Sequence, residues 1–200
     1  MKITIAAFLS LLLLGFARPV AAESDPAAPI HLLCDTLIDA MKQGKSLSFH
    51  DREAKLRPVV TSVYDMAAMT RSTLGLTANK LSPDELAQLA EAYGRYSVAT
   101  YADQFNNWGG ERFEIEAPRK LDNGATVVPS FIIGGDGSRT GIDYVMRETD
   151  GKWRIVDVLF GGSISQVAVR RSEFVPIVRV SGVAGLISML DGKAQAMEKK

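Results

Sequence analysis

The stretch from Glu111 to Gly162 constrains this 200-residue chain more than any other. Four apolar runs, Arg112–Pro118, Ala125–Gly134, Ser138–Arg147 and Lys152–Phe160, are separated by Asp122-Asn123-Gly124, Gly134-Gly135-Asp136-Gly137 and Thr149-Asp150-Gly151. Asn-Gly and Asp-Gly accept the positive φ that a tight hairpin demands. Strands joined by turns this short pair antiparallel, because a parallel crossover needs a dozen or more residues. In the third run Ile142, Tyr144 and Met146 alternate with Asp143, Val145 and Arg147. In the fourth, Trp153, Ile155, Asp157 and Leu159 alternate with Arg154, Val156, Val158 and Phe160. The second run is apolar on both faces, Val127, Pro129, Phe131 and Ile133 against Val128, Ser130 and Ile132, so both faces should be covered. Pro129 cannot donate to a ladder, which predicts an edge position or a bulge there.

Helical spacing flanks this sheet. Ile30, Leu33, Leu37, Ile38 and Met41 share one face, and Gly44 ends that helix. Ser48 stands three before Asp51 and predicts a short helix through Leu56, interrupted by Arg57-Pro58. Val59 to Leu74 follows, with Val63, Met66, Ala67 and Thr70 on one face and Gly75 after it. Ser82-Pro83-Asp84-Glu85 combines an N-cap serine, a first-turn proline and a capping-box glutamate. The helix it opens should run to about Trp108, with Leu86, Leu89, Tyr93, Tyr96, Tyr101, Phe105 and Trp108 as its apolar stripe. After the sheet, Ser163 with Gln166 reads as another capping box, followed by Val167, Arg170, Phe174 and Ile177 or Val178. Ser181-Gly182 starts a last helix with Val183, Leu186, Ile187 and Leu190 inward, and Gly192–Lys200 reads as a frayed tail. Helices, then consecutive strands, then helices predict an α+β fold. It would be a curved antiparallel sheet of about four strands, NTF2-like or cystatin-like, wrapped by the N- and C-terminal helices. The predicted single domain divides into a helical part at 30–109, the sheet at 111–162 and C-terminal helices at 163–191.

The N-terminus reads as a secretory leader over residues 1–22. Lys2 precedes the apolar run Ile3–Phe16, and Val20-Ala21-Ala22 offers small residues for cleavage before Glu23. The run is shorter than the roughly 18–20 apolar residues of a membrane span. No later segment is expected to span, and the mature protein is expected to be exported. Without Lys2 and Arg18, 21 of the 23 basic residues remain against 23 acidic ones, a balance that does not suit a nucleic-acid protein. Cys34 is the one cysteine, so neither an internal disulfide nor a CxxC pair is available, and a half-buried helix thiol is expected.

Catalytic and cofactor motifs are lacking. His31 and His50 lie outside any HExxH pattern, and no metal site is expected. Gly161-Gly162-Ser163-Ile164-Ser165 lacks the second glycine of a nucleophile elbow. No phosphate loop is present, and no cofactor is expected. Asp143 or Asp157 could serve as a general base in an NTF2-like cone, its pKa raised by apolar surroundings. The alternative is that each carboxylate pairs with an arginine or caps a helix, since a buried acid needs such partners. The strands also carry more large apolar groups than one face of a small sheet requires. That excess suits either a filled core or a lined cavity.

Several segments resemble the MlaC family of periplasmic phospholipid-binding (toluene-tolerance) proteins, including its hopanoid-associated HpnM branch. They are Tyr144-Val145-Met146 with Trp153-Arg154-Ile155-Val156-Asp157-Val158, Gly161 to Ser165, Arg171-Ser172-Glu173-Phe174, and Gly185 to Leu190. Tyr64-Asp65-Met66, Met69-Thr70-Arg71, Leu74-Gly75, Leu81-Ser82, Tyr96, Tyr101-Ala102 and Phe105 fall in the same order. The resemblance implies a monomeric periplasmic carrier without catalytic residues. It would hold acyl chains of a phospholipid or hopanoid in a pocket, with the headgroup at the mouth. Such a carrier shuttles lipid between an outer-membrane lipoprotein complex and an inner-membrane transporter complex of the ABC type. Two departures stand out: Thr77-Ala78-Asn79-Lys80 replaces a tryptophan common in the family, and Gly162 replaces a valine.

Three readings follow: a lipid carrier, an NTF2-like isomerase or dehydratase, and a non-catalytic periplasmic adaptor. The carrier predicts roughly several hundred Å³ of connected apolar space. Its expected lining is Tyr101, Phe105, Val127, Phe131, Tyr144, Val156 and Val158, with Lys152, Arg170 and Arg171 meeting a headgroup or partner. A one-residue register error would exchange each strand set for its neighbours.

Overall fold

The structure, a computed structural model, describes residues 25–122 and 124–199. The predicted leader and Asn123 of the first turn lie outside the described residues. The chain runs α1 (Ala28–Gln43), α2 (Phe49–Val63), α3 (Met66–Leu74), α4 (Pro83–Gln104), β1 (Arg112–Ile115), β2 (Arg119–Lys120), β3 (Thr126–Ile133), β4 (Arg139–Thr149), β5 (Lys152–Phe160), β6 (Ile164–Ser165) and α5 (Gln166–Glu198). The sheet is antiparallel in the order β1-β3-β4-β5-β6, with β2 also on β3. The α+β arrangement is the one expected, with two short strands added.

Pro129 lies inside β3, which is paired on both sides. The neighbouring strand is broken there. Ile115 faces Ser130 and Arg119 faces Val127, so residues 116–118 face only 128 and 129. The Pro129 carbonyl accepts from the Glu116 amide at 2.9 Å, so the missing N–H falls on the interrupted side. A bulge in the partner strand is what accommodates the proline.

A second irregularity sets the faces of β5. Tyr144 pairs with Val158 and Val145 with Asp157, but Met146 pairs with Ile155. Val156 is the extra residue of a β-bulge, and the alternation inverts across it.

Helix boundaries differ from expectation at several places. Pro58 does not interrupt α2. An interior proline costs about 3 kcal/mol, whereas burial of Leu56, Val60 and Val63 supplies about 1.5–3 kcal/mol each. The break comes at Tyr64-Asp65 instead. There Tyr64 bridges to Ile155, the Asp65 amide donates to the Ile155 carbonyl at 2.9 Å, and the Asp65 side chain caps α3. Helix α4 stops at Gln104, because Phe105 leaves helical geometry and the Trp108 indole turns to the Glu111 carbonyl at 2.9 Å. Trp108 is therefore exposed and takes no part in the stripe.

The N-cap of α5 is Ser165 rather than Ser163. Gly161 and Gly162 turn the chain at positive φ, Ile164-Ser165 folds back on β5, and the Ser165 hydroxyl accepts from the Ala168 amide at 3.0 Å. The predicted frayed tail is helical to Glu198. Arg95 grips Asp191 through two bonds of 3.0 and 3.1 Å, and Met197 packs beside Thr100. By length and composition alone α5 could cross a membrane, contrary to the expectation that no later segment could. It is kinked at Gly182 and packs Val167, Phe174, Val178, Val183, Leu186 and Leu190 inward.

Gly182 stands at φ 67°, ψ −175°, a region open essentially only to glycine, although a Cβ there would meet open space. Replacing Gly182 with Ala is expected to cost about 1–3 kcal/mol through the backbone alone. Urea denaturation checks this.

Candidate functional site

A cavity of about 190 Å³ lies between the inner face of the sheet and α3, α4 and α5. Helix α3 contributes Met66 and Met69. From α4 come Tyr93, Tyr96, Ser97, Thr100, Tyr101 and Gln104, and Phe105 follows the helix. The sheet adds Phe113, Ile142, Tyr144, Val158 and Phe160, and α5 adds Gln166 and Arg170. Tyr64 completes the wall, so all five tyrosines of the chain face this space. Among the described residues, no carboxylate lines it.

The aromatic rings lock one another in place. Tyr64 and Tyr101 have ring centroids 6.2 Å apart, Tyr101 and Phe105 5.6 Å, and Phe105 and Phe113 6.5 Å. Tyr93 meets Phe174 edge-on at 5.4 Å. The Tyr64 and Tyr101 hydroxyls share a short hydrogen bond. Burial pushes the Tyr93 and Tyr101 phenols up to about 12, and Tyr64 and Tyr144 well above the ordinary value. Cys34, fully buried rather than half-buried, sits behind Tyr144, and burial raises its thiol to about 12.

The opposite end is charged and more open. The Arg170 guanidinium lies 5.2 Å from the Tyr96 ring centroid and bonds Glu173 at 2.8 Å. Partial burial works against the charge on Arg170, but the Glu173 carboxylate together with Tyr96 and Tyr93 outweighs it, so the pKa stands above its ordinary value. Phe160, 41% exposed, lies on the same wall.

Of the residues the sequence proposed as lining, Tyr101, Phe105, Tyr144 and Val158 come together here. Val127, Phe131 and Val156 do not. On β3 the inward side is Val128, Ser130 and Ile132, because Val128 pairs with Tyr144 and Ser130 with Ile142. Phe131 faces the other way, beneath the Arg139 guanidinium at 3.2 Å. Val156 is displaced by its own bulge. Of the three proposed cations only Arg170 reaches the cavity. Arg171 donates to the Ser72 carbonyl at 2.6 Å, tying α5 to α3, and Lys152 lies at the β4–β5 turn beside Trp153.

Asp143 pairs with Arg119 at 3.5 Å. Asp157 accepts from Ser165 Oγ at 2.5 Å, the Val158 amide at 2.7 Å and the Val167 amide at 3.0 Å. Neither acid lines the cavity. Sequence reasoning missed Met66, Met69, Tyr93 and Tyr96 as lining, having taken only Tyr101 and Phe105 from the α4 stripe. It also missed buried Arg52, whose guanidinium donates to the Ala102 carbonyl at 2.6 Å and the Leu47 carbonyl at 3.0 Å. Those bonds fix the last turn of α4, where Tyr101 and Phe105 sit. A wider depression of about 580 Å³ lies between α1 and β1, but Asp35, Asp39, Lys42, Glu111 and Arg112 line it, which suits water better than an apolar ligand. Among the described residues, no cluster of His, Cys, Asp or Glu could hold a metal ion.

The fold and the aromatic cavity define a small α+β protein with a pocket for an apolar ligand. The family model for the MlaC protein matches residues 33–192, and the chain belongs to that family. Among solved structures, a phospholipid-binding protein from Ralstonia solanacearum, in complex with a phospholipid, has the same fold. The TM-score is 0.73 at 18% identity, covering 87% of this chain and 99% of that one. No curated protein matches the chain.

The buried phenols make stability fall at alkaline pH. A tyrosine of the unfolded chain titrates near 10, whereas Tyr93 and Tyr101 titrate near 12 in the fold. Between those values the unfolded chain has released protons that the folded chain still holds, so stability is lost as pH rises through this window. Urea denaturation at stepped pH is expected to show that loss, with phenolate absorbance from the cavity tyrosines appearing as the chain unfolds.

Proposed function

We propose that the protein is a periplasmic carrier that holds acyl-chain segments of a phospholipid in this cavity. It passes the lipid between an outer-membrane lipoprotein complex and an inner-membrane transporter complex. The supporting observation is an apolar, aromatic space between sheet and helices in a chain of the MlaC family. The Ralstonia solanacearum protein of the same fold is described as phospholipid-binding, which supports this choice of ligand. Each methylene moved from water into such a space gains about 0.8 kcal/mol. A long chain therefore crosses an aqueous compartment slowly unless it is carried.

At about 190 Å³ the cavity is smaller than the several hundred expected for a lipid pocket. A whole acyl chain fits only if the walls separate. The side chains at its borders suit that movement: Met66 and Met69 are flexible, and Phe160 stands at an exposed strand end. Among the described residues Arg170 is the one cation on the wall, and it would meet an anionic headgroup left outside. The two places where the chain departs from the family pattern, Thr77–Lys80 and Gly162, do not line the cavity and so give no separate support to a hopanoid ligand. Gly162 is explained by its φ of 74° in the β5–β6 turn. The enzyme reading needed a carboxylate free in the cavity, and Asp143 and Asp157 are both engaged elsewhere. The adaptor reading called for a filled core.

The test is transfer of phospholipid from vesicles to delipidated protein, followed by native mass spectrometry. One lipid per chain is expected. Ser97→Trp, which projects bulk from α4 into the cavity, is expected to weaken uptake by more than about tenfold while leaving the melting temperature near wild type. Uptake unaffected by this variant would place the lipid elsewhere.

A further inference from the structure

The inner end of the cavity carries more hydrogen-bond donors than it can satisfy. Tyr64, Tyr101 and Tyr144 meet there, with the Cys34 thiol behind Tyr144. Each phenol carries one proton and can accept as well as donate. Among the described residues, the Tyr64 and Tyr101 hydroxyls bond only each other, so two protons share one hydrogen bond. The thiol that faces Tyr144 is a weak acceptor. Among the described residues no carboxylate lines the cavity, and the nearby Ser97 and Thr100 hydroxyls donate to the Tyr93 and Tyr96 carbonyls at 2.8 Å and take no hydrogen bond from the three phenols. At least one O–H is therefore left without a strong partner in an apolar enclosure. A simple hydrocarbon-binding pocket would gain nothing from that arrangement, because a buried donor left unmade is costly.

We infer that the Tyr64–Tyr101–Tyr144 floor is a recognition site for a hydrogen-bond-accepting oxygen on the buried part of the bound lipid. The inference rests on the carrier reading and adds a ligand class to it: lipids whose enclosed segment bears a carbonyl or hydroxyl oxygen, not an unbroken hydrocarbon. The geometry separates two kinds of recognition. Arg170, beside the more open end, handles charge, and the tyrosine floor handles a neutral acceptor. The rings supply apolar surface along the same path, so an acceptor on a chain is held without exposing the rest of it to water. The mutual packing of Tyr64, Tyr101 and Phe105 keeps the hydroxyls pointed at one place.

The experiment compares decanoate, short enough for the cavity, with its oxo derivative carrying a ketone next to the terminal methyl. The ketone accepts hydrogen bonds and donates none. Affinities of both are measured by calorimetry for wild type, Y64F/Y101F and Y144F. Replacing both members of a hydroxyl pair by isosteric rings is close to neutral for folding. Y144F provides an independent reading if the double variant unfolds. The ratio of oxo to plain affinity is expected to fall by about tenfold in Y64F/Y101F, and in the same direction in Y144F. A ratio that moves in either variant supports the floor site. A ratio unchanged in every folded variant, with decanoate still bound, overturns the floor site and leaves the carrier reading standing. If wild type takes up neither probe nor phospholipid, both fall together.

Discussion

Asp157 is the joint on which the cavity depends. Its carboxylate takes the Ser165 hydroxyl and the Val167 amide at the start of α5, while its own strand supplies the Val158 amide. A carboxylate that accepts backbone amides at a helix N-terminus satisfies orphan donors and opposes the helix dipole. Here it also sets where α5 leaves the sheet. Gln166 and Arg170 follow within the first turns and become cavity wall, and Phe174 then packs on Tyr93. Arg171 fastens the same helix to α3, and the Arg95–Asp191 pair fastens its far end to α4. The acid that could be mistaken for a catalytic base is thus structural, and its engagement keeps charge out of the apolar space.

Short-range chemistry was the legible part of the sequence. The capping box at Ser82–Glu85 is formed as expected, β5 spans Lys152–Phe160 as predicted, and the helix start expected at Ser181-Gly182 corresponds to the kink at Gly182. Tertiary effects were not legible. Pro58 stays inside α2 because three buried side chains outweigh its cost. The bulge at Val156 arises from pairing with β4, and nothing in the local alternation announces it. That single extra residue separates Val158, which lines the cavity, from Val156, which does not. For β3, both faces are apolar, so periodicity offered no way to prefer Val128 over Val127. Pairing with Tyr144 decides it. Arg52 was invisible because its role, donating to carbonyls at the ends of other segments, depends on where α4 stops.

The cavity combines properties that pull in different directions. Aromatic rings bury large area with few rotatable bonds, which favours a well-defined wall. Its volume of about 190 Å³ admits only part of a lipid tail, so on the proposed reading the walls separate when a whole tail enters. The same tyrosines place polar atoms deep within the space, where desolvation suppresses their ionisation. A pocket built this way would hold an apolar chain by burial and discriminate through the few donors that the proposed floor supplies.

The most direct measurement of where the tail goes is photo-crosslinking with a phospholipid bearing a diazirine at the end of one acyl chain. The account predicts labelling of residues around the tyrosine floor, Tyr64, Met69, Tyr101 and Tyr144, read by peptide mass spectrometry. Labelling confined to Ile38 and Trp108, in the depression between α1 and β1, would contradict it.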